Sequence, residues 1–200
     1  MSSPEPAPPS KPSRSAMSVR DMLVAIGVLV LIVGALAGVA RACTFSPAGP
    51  TIDSSRLPVV DTPAELRRLA PVVGFPLRVP ALPAGWRANS SGLDRVEGGG
   101  KVVRVGFLTP DGRYLRLMQA DSTEEALLAV ETGPDAVPGQ GVVDVGGQQW
   151  VRYGTRSEEP IWITEVAADG RPIRMLITGS GNEAEYRELA TAAVSGELVR

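Results

Sequence analysis

The side chains that most enzymes use for nucleophilic chemistry are scarce in this sequence. It contains no histidine, and Cys43 is its single cysteine. Nucleophilic catalysis commonly needs a base beside the nucleophile, and most zinc sites need several His or Cys ligands. The composition therefore argues against Ser-His-Asp and Cys-His nucleophiles, against most zinc sites and against any intramolecular disulfide.

Acid–base chemistry would then depend on two carboxylates whose pKa values differ. Two acidic pairs occur, Glu124/Glu125 and Glu158/Glu159. The first pair falls in the first turn of a predicted helix, where acidic side chains favour the helix dipole, and the second falls in a predicted loop. The sequence shows no phosphate-binding loop, dinucleotide glycine pattern or metal-ligand cluster. We therefore predict no enzymatic activity and no cofactor or metal.

Tryptophan side chains suit binding as well as packing. Trp86, Trp150 and Trp162 are the three tryptophans of the chain. Such large side chains usually anchor a sheet to a helix, whereas an exposed one can contact a ligand. Trp162 is the stronger candidate for contact, because Ile161 and Ile163 point to the opposite face of the same strand.

Three arginines, Arg104, Arg116 and Arg174, are predicted to share one face of a sheet. Such a set is either an ordinary solvated face or a surface for an anionic partner, such as a lipid headgroup, a cell-wall polymer or an envelope protein. The chain has 20 basic and 22 acidic residues, so its balance is mildly acidic. Nucleic acid is therefore not expected as a partner, because phosphate binding needs a basic face.

The elements that position these side chains read as short strands joined by tight turns. Asp111-Gly112 and Asp169-Gly170 mark turns between alternating segments. Strands are predicted over residues 86–96, 101–109, 113–120, 148–155, 160–167 and 171–178. Connections this short join antiparallel strands.

Helices are predicted from start signals at three places. Thr62 with Glu65 forms a capping-box pattern for a helix that stops before Pro71, and two further helices cover residues 122–131 and 182–193. We therefore expect an α+β fold with a mainly antiparallel sheet and helices on one face.

The two halves of this region resemble each other. Residues 111–118 align with residues 169–176 at a shift of 58, and Trp86 aligns with Trp150 at a shift of 64. Each aligned stretch is followed by a predicted helix. The pattern indicates a duplicated βββα unit, or hairpins of similar sequence that recur by chance.

An apolar run determines the predicted location. Residues 22–40 contain neither charge nor proline. As a helix these 19 residues span about 28 Å, close to the hydrocarbon thickness of a bilayer. We predict a transmembrane signal anchor with a cytoplasmic N-terminus, because Lys11, Arg14 and Arg20 precede it. Two alternatives remain open: cleavage near residues 40–42, whose small residues fit a signal peptide, and lipidation of Cys43.

This run divides the chain into four predicted regions. They are a disordered cytoplasmic tail over residues 1–21, the transmembrane helix over 22–40, a linker over 41–60 and an extracytoplasmic α+β domain over 61–200. Gly34 and Gly38 have the G-x-x-x-G spacing found at helix–helix interfaces in membranes. A homodimer through the membrane helix is therefore one expectation.

A resemblance to a known family is carried by residues 18–22, which lead into the apolar run, and by residues 45–47, 58, 82–90, 105–110 and 114–117. Together these stretches resemble an actinobacterial membrane-protein family, domain of unknown function 4245. The resemblance implies a single-pass plasma-membrane protein without an assigned activity, and it supplies no catalytic residue. We expect a non-catalytic binding or interaction module of the cell envelope. The alternatives are an accessory structural subunit of a membrane complex, or an envelope hydrolase that uses carboxylates.

Overall fold

The computed structural model describes residues 19–39, 59–96, 99–133, 137–154 and 159–200. The chain divides into two units, residues 1–52 and 53–200. Several predictions lie outside the described residues. They are those for residues 1–18 of the tail, for residues 40–58 with Cys43, and for Glu158.

The described residues of the first unit form the helix α1 (Val19–Val39), of 21 residues. Its side chains are exposed through Ala35, and those of residues 36–39 lie outside the described part. A side chain added at Gly34 would meet no atom within 4 Å. Within the part of the chain that the structure describes, no helix is long and apolar enough to cross a membrane. The transmembrane span stays a prediction.

The second unit is an α+β fold, as the sequence predicts. Its helices are α2 (Thr62–Val73), α3 (Glu124–Thr132) and α4 (Glu183–Ser195). Its strands are β1 (Leu77–Val79), β2 (Arg87–Arg95), β3 (Lys101–Leu108), β4 (Tyr114–Ala120), β5 (Gly139–Val145), β6 (Gln148–Tyr153), β7 (Ile161–Ala168), β8 (Arg171–Gly179) and β9 (Glu197–Val199).

Seven strands form one sheet in the order β2-β3-β4-β8-β7-β6-β5, and every neighbouring pair is antiparallel. The short strands β1 and β9 pair separately. β5 was not among the predicted strands, because its first residues are rich in glycine. Neither β1 nor β9 was predicted, because each is three residues long and its partner lies at the other end of the domain.

The sheet contains two meanders, β2-β3-β4 and β6-β7-β8, which meet where β4 pairs with β8. Met118 lies opposite Leu176, the residue to which a shift of 58 maps it. The tryptophan alignment fails, because Trp86 precedes β2 whereas Trp150 lies inside β6. The helices that follow the two meanders also pack on different faces of the sheet. α3, after the first meander, contributes to the smaller core, and α4, after the second, contributes to the larger core.

Apolar side chains cover both faces of the sheet, so helices are needed on both. α2 and α4 pack on one face, which holds the larger core. On the other face α3 places Leu127 and Leu128 in a smaller core with Met118 and Leu176. The prediction that all helices lie on one face is wrong. Strands such as β7 bury side chains on both faces of the sheet. A single layer of helices would leave one of these apolar faces exposed to water.

The helix ends show how the sequence sets these elements. The Asp61 side chain, rather than Thr62, caps α2 by accepting from the Ala64 N–H at 3.1 Å. The helix does not stop before Pro71 as predicted: it includes this proline and continues to Val73. Gly74, with a left-handed φ of 82°, caps its C-terminal end. Thr123 caps α3, and Asn182 caps α4.

Candidate functional site

The three predicted arginines do share one sheet face, the face that α3 covers. Arg104 lies opposite Met118, and Arg174 lies opposite Ala120. Arg116 is two residues before Met118 on β4, so it points to the same side. The alternation of the strands therefore brings the three guanidinium groups to one surface, as the sequence predicted.

Each of these guanidinium groups has a carboxylate partner from the same domain. The ion pairs are Arg104 with Asp94, Arg116 with Glu131, and Arg174 with Glu165 at 2.6 Å. Arg174 also donates to the Ser122 carbonyl oxygen at 2.6 Å. An external anion would therefore compete with carboxylates that are already in place.

The Arg116–Glu131 pair links β4 to the end of α3. The Glu131 side chain is only 12% exposed and that of Arg116 28% exposed. The Arg116 Nε is buried without a hydrogen-bond partner among the described atoms. This arginine therefore depends on Glu131 and holds α3 against the sheet, which is a structural role.

The structure places Trp162 in the core instead of on a surface. Its side chain is 1% exposed, and its ring lies 5.1 Å from that of Tyr186 on α4, centroid to centroid. The Arg152 guanidinium stands 5.9 Å from the Trp162 ring centroid. Ile161 and Ile163 do point to the opposite face. The expectation of an exposed aromatic is wrong, because α4 covers the face on which Trp162 lies.

The other two tryptophans differ in exposure. Trp150 is fully buried in the same core as Trp162. Trp86 is half-buried, and its Nε1 donates to Glu188 Oε2 on α4 at 3.0 Å. Trp162 and Trp86 therefore connect the sheet region to α4, and the burial of Trp150 and Trp162 leaves neither ring on the surface.

Glu124 and Glu125, the first of the two predicted carboxylate pairs, have local structural roles. Glu124 accepts a hydrogen bond from the Tyr153 hydroxyl; this bond, with burial and the charges of Glu124 and Glu125, raises the pKa of Tyr153 to about 12. Hydrogen bonds from its own backbone N–H and from Thr123 lower the pKa of Glu125. No group of three or more His, Cys, Asp or Glu that could hold a metal occurs among the described residues.

A concave site lies elsewhere, at the C-terminal end of α2. The cavity has a volume of about 650 Å³ and is open to solvent. Its apolar wall consists of Ala70, Pro71, Phe75 and Pro76. Asp169, Arg171 and Arg200 line it together with Gly74. The site combines an apolar surface with a few charged groups, as small-molecule sites commonly do.

Three distant parts of the chain build this cavity. The helix stop at Gly74 redirects the chain into β1, and the β7–β8 turn lies across from it. Asp169 has φ 53° and Gly170 has φ 72°, a left-handed pair that closes a two-residue hairpin. The sequence predicted that turn, but nothing in the sequence indicated that Arg200 and the end of α2 would meet it. The cavity was therefore missed.

Positive charge predominates around the β7–β8 turn. Asp169 pairs with Arg200, whose hydrogen bond and charge, with the charge of Arg78, lower the pKa of Asp169. Arg171 donates to the Gly74 carbonyl oxygen at 3.3 Å and forms no ion pair with the described carboxylates. Around this turn the guanidinium groups of Arg78, Arg171 and Arg200 therefore outnumber the carboxylate of Asp169, the acidic side chain among the described lining residues.

Fold and site together define an α+β domain whose antiparallel sheet is covered on both faces. An open, partly cationic cavity lies at the α2 end of this domain. A family model matches residues 14–193, and its family is described as "Protein of unknown function (DUF4245)". The chain belongs to this family. No curated protein and no solved structure matches it. The family assigns no activity, so a functional proposal depends on the site itself.

Proposed function

We infer that the protein is a single-pass, membrane-anchored binding module of the cell envelope without catalytic activity. Its α+β domain would face the outside of the plasma membrane and bind a small molecule. The observation that carries this proposal is the cavity beside the β7–β8 turn, whose volume of about 650 Å³ falls in the range typical of small-molecule sites.

The membrane anchor is supported by the apolar run over residues 22–40. The part of it that lies in α1 places exposed aliphatic side chains all round the helix from Met22 to Val33, with no charged residue after Asp21. A helix that is apolar on every side suits lipid, because lipid tails cover it at no cost. The basic residues before the run favour a cytoplasmic N-terminus.

The proposal omits catalysis because of what lines the cavity. Acid–base hydrolysis by carboxylates needs two of them near the substrate. Among the described residues that line the cavity, Asp169 is the one acidic side chain, and it is paired with Arg200. A hydrolase would therefore have to bring a second carboxylate to this site, and nothing in the described geometry favours that alternative.

The binding role is tested by blocking the cavity. Pro71 is exposed on α2 and lines the cavity, so Pro71→Trp should fill its mouth without loss of core packing. Val72, its exposed neighbour, does not line the cavity, and Val72→Trp is the matched control. We expect a ligand-observed NMR screen of small polar and apolar compounds to give hits that Pro71→Trp loses and Val72→Trp keeps. Equal hits for both variants would contradict the proposal.

The anchor is tested separately by fractionating cells that express the chain. We expect the protein to stay with the membrane after an alkaline carbonate wash, and Leu29→Arg combined with Val30→Arg to release it. Soluble mature protein that begins near residue 43 would contradict the anchor. Self-association through Gly34 and Gly38 stays a prediction. If Gly34→Leu abolished the protein's role in the cell while ligand binding in the cavity was unchanged, the accessory-subunit alternative would be favoured.

A further inference from the structure

We propose that the cavity beside the β7–β8 turn binds a small amphiphilic organic anion, a carboxylate or phosphate on an apolar body, with Arg171 as the charged anchor. This inference rests on the proposed binding function and names its ligand class. It depends on three observations: the charge around the turn, the availability of Arg171, and the apolar wall.

The charge around the turn favours an anion. Arg171 and Arg200 line the cavity, and the charge of Arg78 reaches Asp169 from β1. Arg78 uses its two terminal nitrogens on the carbonyl oxygens of Gly196 at 3.1 Å and Ala167 at 3.2 Å, so it is held in place. A fixed positive charge beside a cavity attracts an anion without reorganisation at the moment of binding.

Arg171 is the guanidinium group that is free to make the contact. It is exposed, its recorded partner is the neutral Gly74 carbonyl oxygen at 3.3 Å, and its neighbour across the hairpin is Ala168. Arg200 is already paired with Asp169. Since a guanidinium group binds carboxylate or phosphate with two parallel hydrogen bonds, Arg171 can supply such a contact without breaking an ion pair.

Because of the apolar wall, an inorganic ion should bind in the cavity more weakly than an anion with an apolar body. Ala70 and Phe75 are buried at 2% and 5% exposure, and Pro71 and Pro76 continue the surface. An apolar body against this wall is removed from water, which adds a favourable free energy that a bare ion lacks. A ligand with an anionic head and an aryl or acyl body therefore matches both parts of the site.

The test uses the full chain in lipid nanodiscs, with empty nanodiscs as the blank. Three probes share one apolar body: 4-phenylbutyrate, 4-phenylbutan-1-ol and 4-phenylbutylamine. Phenyl phosphate serves as a phosphate-bearing probe. We expect 4-phenylbutyrate to bind about tenfold more tightly than the alcohol, as expected for one charge-assisted contact, and the amine to bind more weakly than either.

Arg171→Gln should lower the affinity for 4-phenylbutyrate about tenfold and leave the affinity for the alcohol unchanged. The matched control is Arg95→Gln, an exposed arginine at the end of β2 that does not line the cavity. Added salt should weaken the anion and not the alcohol. A stronger response to phenyl phosphate than to 4-phenylbutyrate would assign the head group as phosphate and support the same inference.

Three outcomes would overturn the inference, and the first and the third separate it from the proposed function. If all three phenylbutyl probes bind equally and Pro71→Trp abolishes their binding, the cavity is a ligand site but not an anion site. If the anion binds with the same affinity in Arg171→Gln, another group holds it. If no probe binds while the wider screen still gives hits sensitive to Pro71→Trp, the anion class falls and the binding module stands.

Discussion

Two groups of three arginines behave differently in this domain. One group lies on the face covered by α3 and consists of Arg104, Arg116 and Arg174; the other surrounds the β7–β8 turn and consists of Arg78, Arg171 and Arg200. In the first group every guanidinium has its own carboxylate. In the second group, Asp169 is the one acidic side chain among the cavity's described lining residues, and it pairs with Arg200. The comparison shows that the availability of an arginine depends on the partners that the fold supplies.

The reason for the difference lies in position along the strands. Arg174 lies within β8, and the residue opposite it on β7 is Glu165. Arg171 begins the same strand, and the residue opposite it is Ala168, beside the turn. Cross-strand neighbours of opposite charge stabilise each other, and a residue at the end of a hairpin has fewer such neighbours. Arg171 at the turn is therefore left without a carboxylate opposite it on the neighbouring strand.

The largest expected effect is the loss of a carboxylate from the α3 face. Glu131→Ala leaves Arg116 half-buried without its partner and should lower the free energy of unfolding by about 1–3 kcal/mol. Glu183→Ala, which removes the exposed partner of Arg187, should cost about 0.5 kcal/mol or less. Urea denaturation of the two variants measures the difference. Equal losses would remove the distinction between structural and available arginines.

A second ion pair with a buried carboxylate joins Glu185 to Arg113 at 3.2 Å. Burial opposes ionisation of Glu185, but hydrogen bonds from Thr109 and the Asn182 N–H, with the charge of Arg113, outweigh it and lower the pKa of Glu185 below 4.5. A depressed pKa gives stability above the unfolded-state value, and this stability is lost as the pH falls through the folded-state value.

We therefore expect Glu185→Gln to lower the free energy of unfolding at pH 7 by about 1 kcal/mol. The gap between the wild type and the variant should close as the pH is lowered below about 4.5. Denaturation curves between pH 3 and pH 7 give this gap directly. A gap that stays constant over this range would mean that the charge of Glu185 does not contribute.

Removal of the carboxylate beside the second group of arginines should strengthen ligand binding. Asp169→Asn deletes the one negative side chain that lines the cavity, so we expect 4-phenylbutyrate to bind about three- to tenfold more tightly. Asparagine tolerates the φ of 53° at this position, so the turn should persist. Titration of wild type and variant gives the ratio. Weaker binding by the variant would show that Asp169 contacts the ligand instead of opposing it.

The smallest effect is expected for Arg171→Gln on stability. Because Arg171 is exposed and donates to a backbone carbonyl oxygen and to no described carboxylate, its loss should change the free energy of unfolding by about 0.5 kcal/mol or less. Thermal or urea unfolding measured alongside Glu131→Ala provides the contrast. A loss as large as that of Glu131→Ala would place Arg171 among the structural arginines.

The sequence predicted the local elements of this fold better than their arrangement. Alternation along β3, β4, β7 and β8 and the two Asp-Gly turns were sufficient for an antiparallel sheet, because hairpins depend on neighbouring residues. The three helix starts were also close, within one residue of the observed caps at Asp61, Thr123 and Asn182.

What the sequence could not predict depends on contacts between distant residues. β1 and β9 pair although more than a hundred residues separate them in the sequence. The cavity likewise brings together Gly74, Asp169 and Arg200 from three distant parts of the chain. The face on which α3 packs is fixed by tertiary contacts of Leu127, not by the start signal of the helix. Trp162 was placed on the correct face, but its burial depended on the position of α4.

The most direct test of the account is to locate a bound anion by NMR. With full-length protein in nanodiscs and 4-phenylbutyrate, we expect intermolecular NOEs from the phenyl ring to the Phe75 side chain. We also expect a shift of the Arg171 Nε–H resonance. NOEs to residues of the α3 face, with resonances of Arg116 or Arg174 shifted instead, would contradict the assignment of the β7–β8 cavity as the binding site.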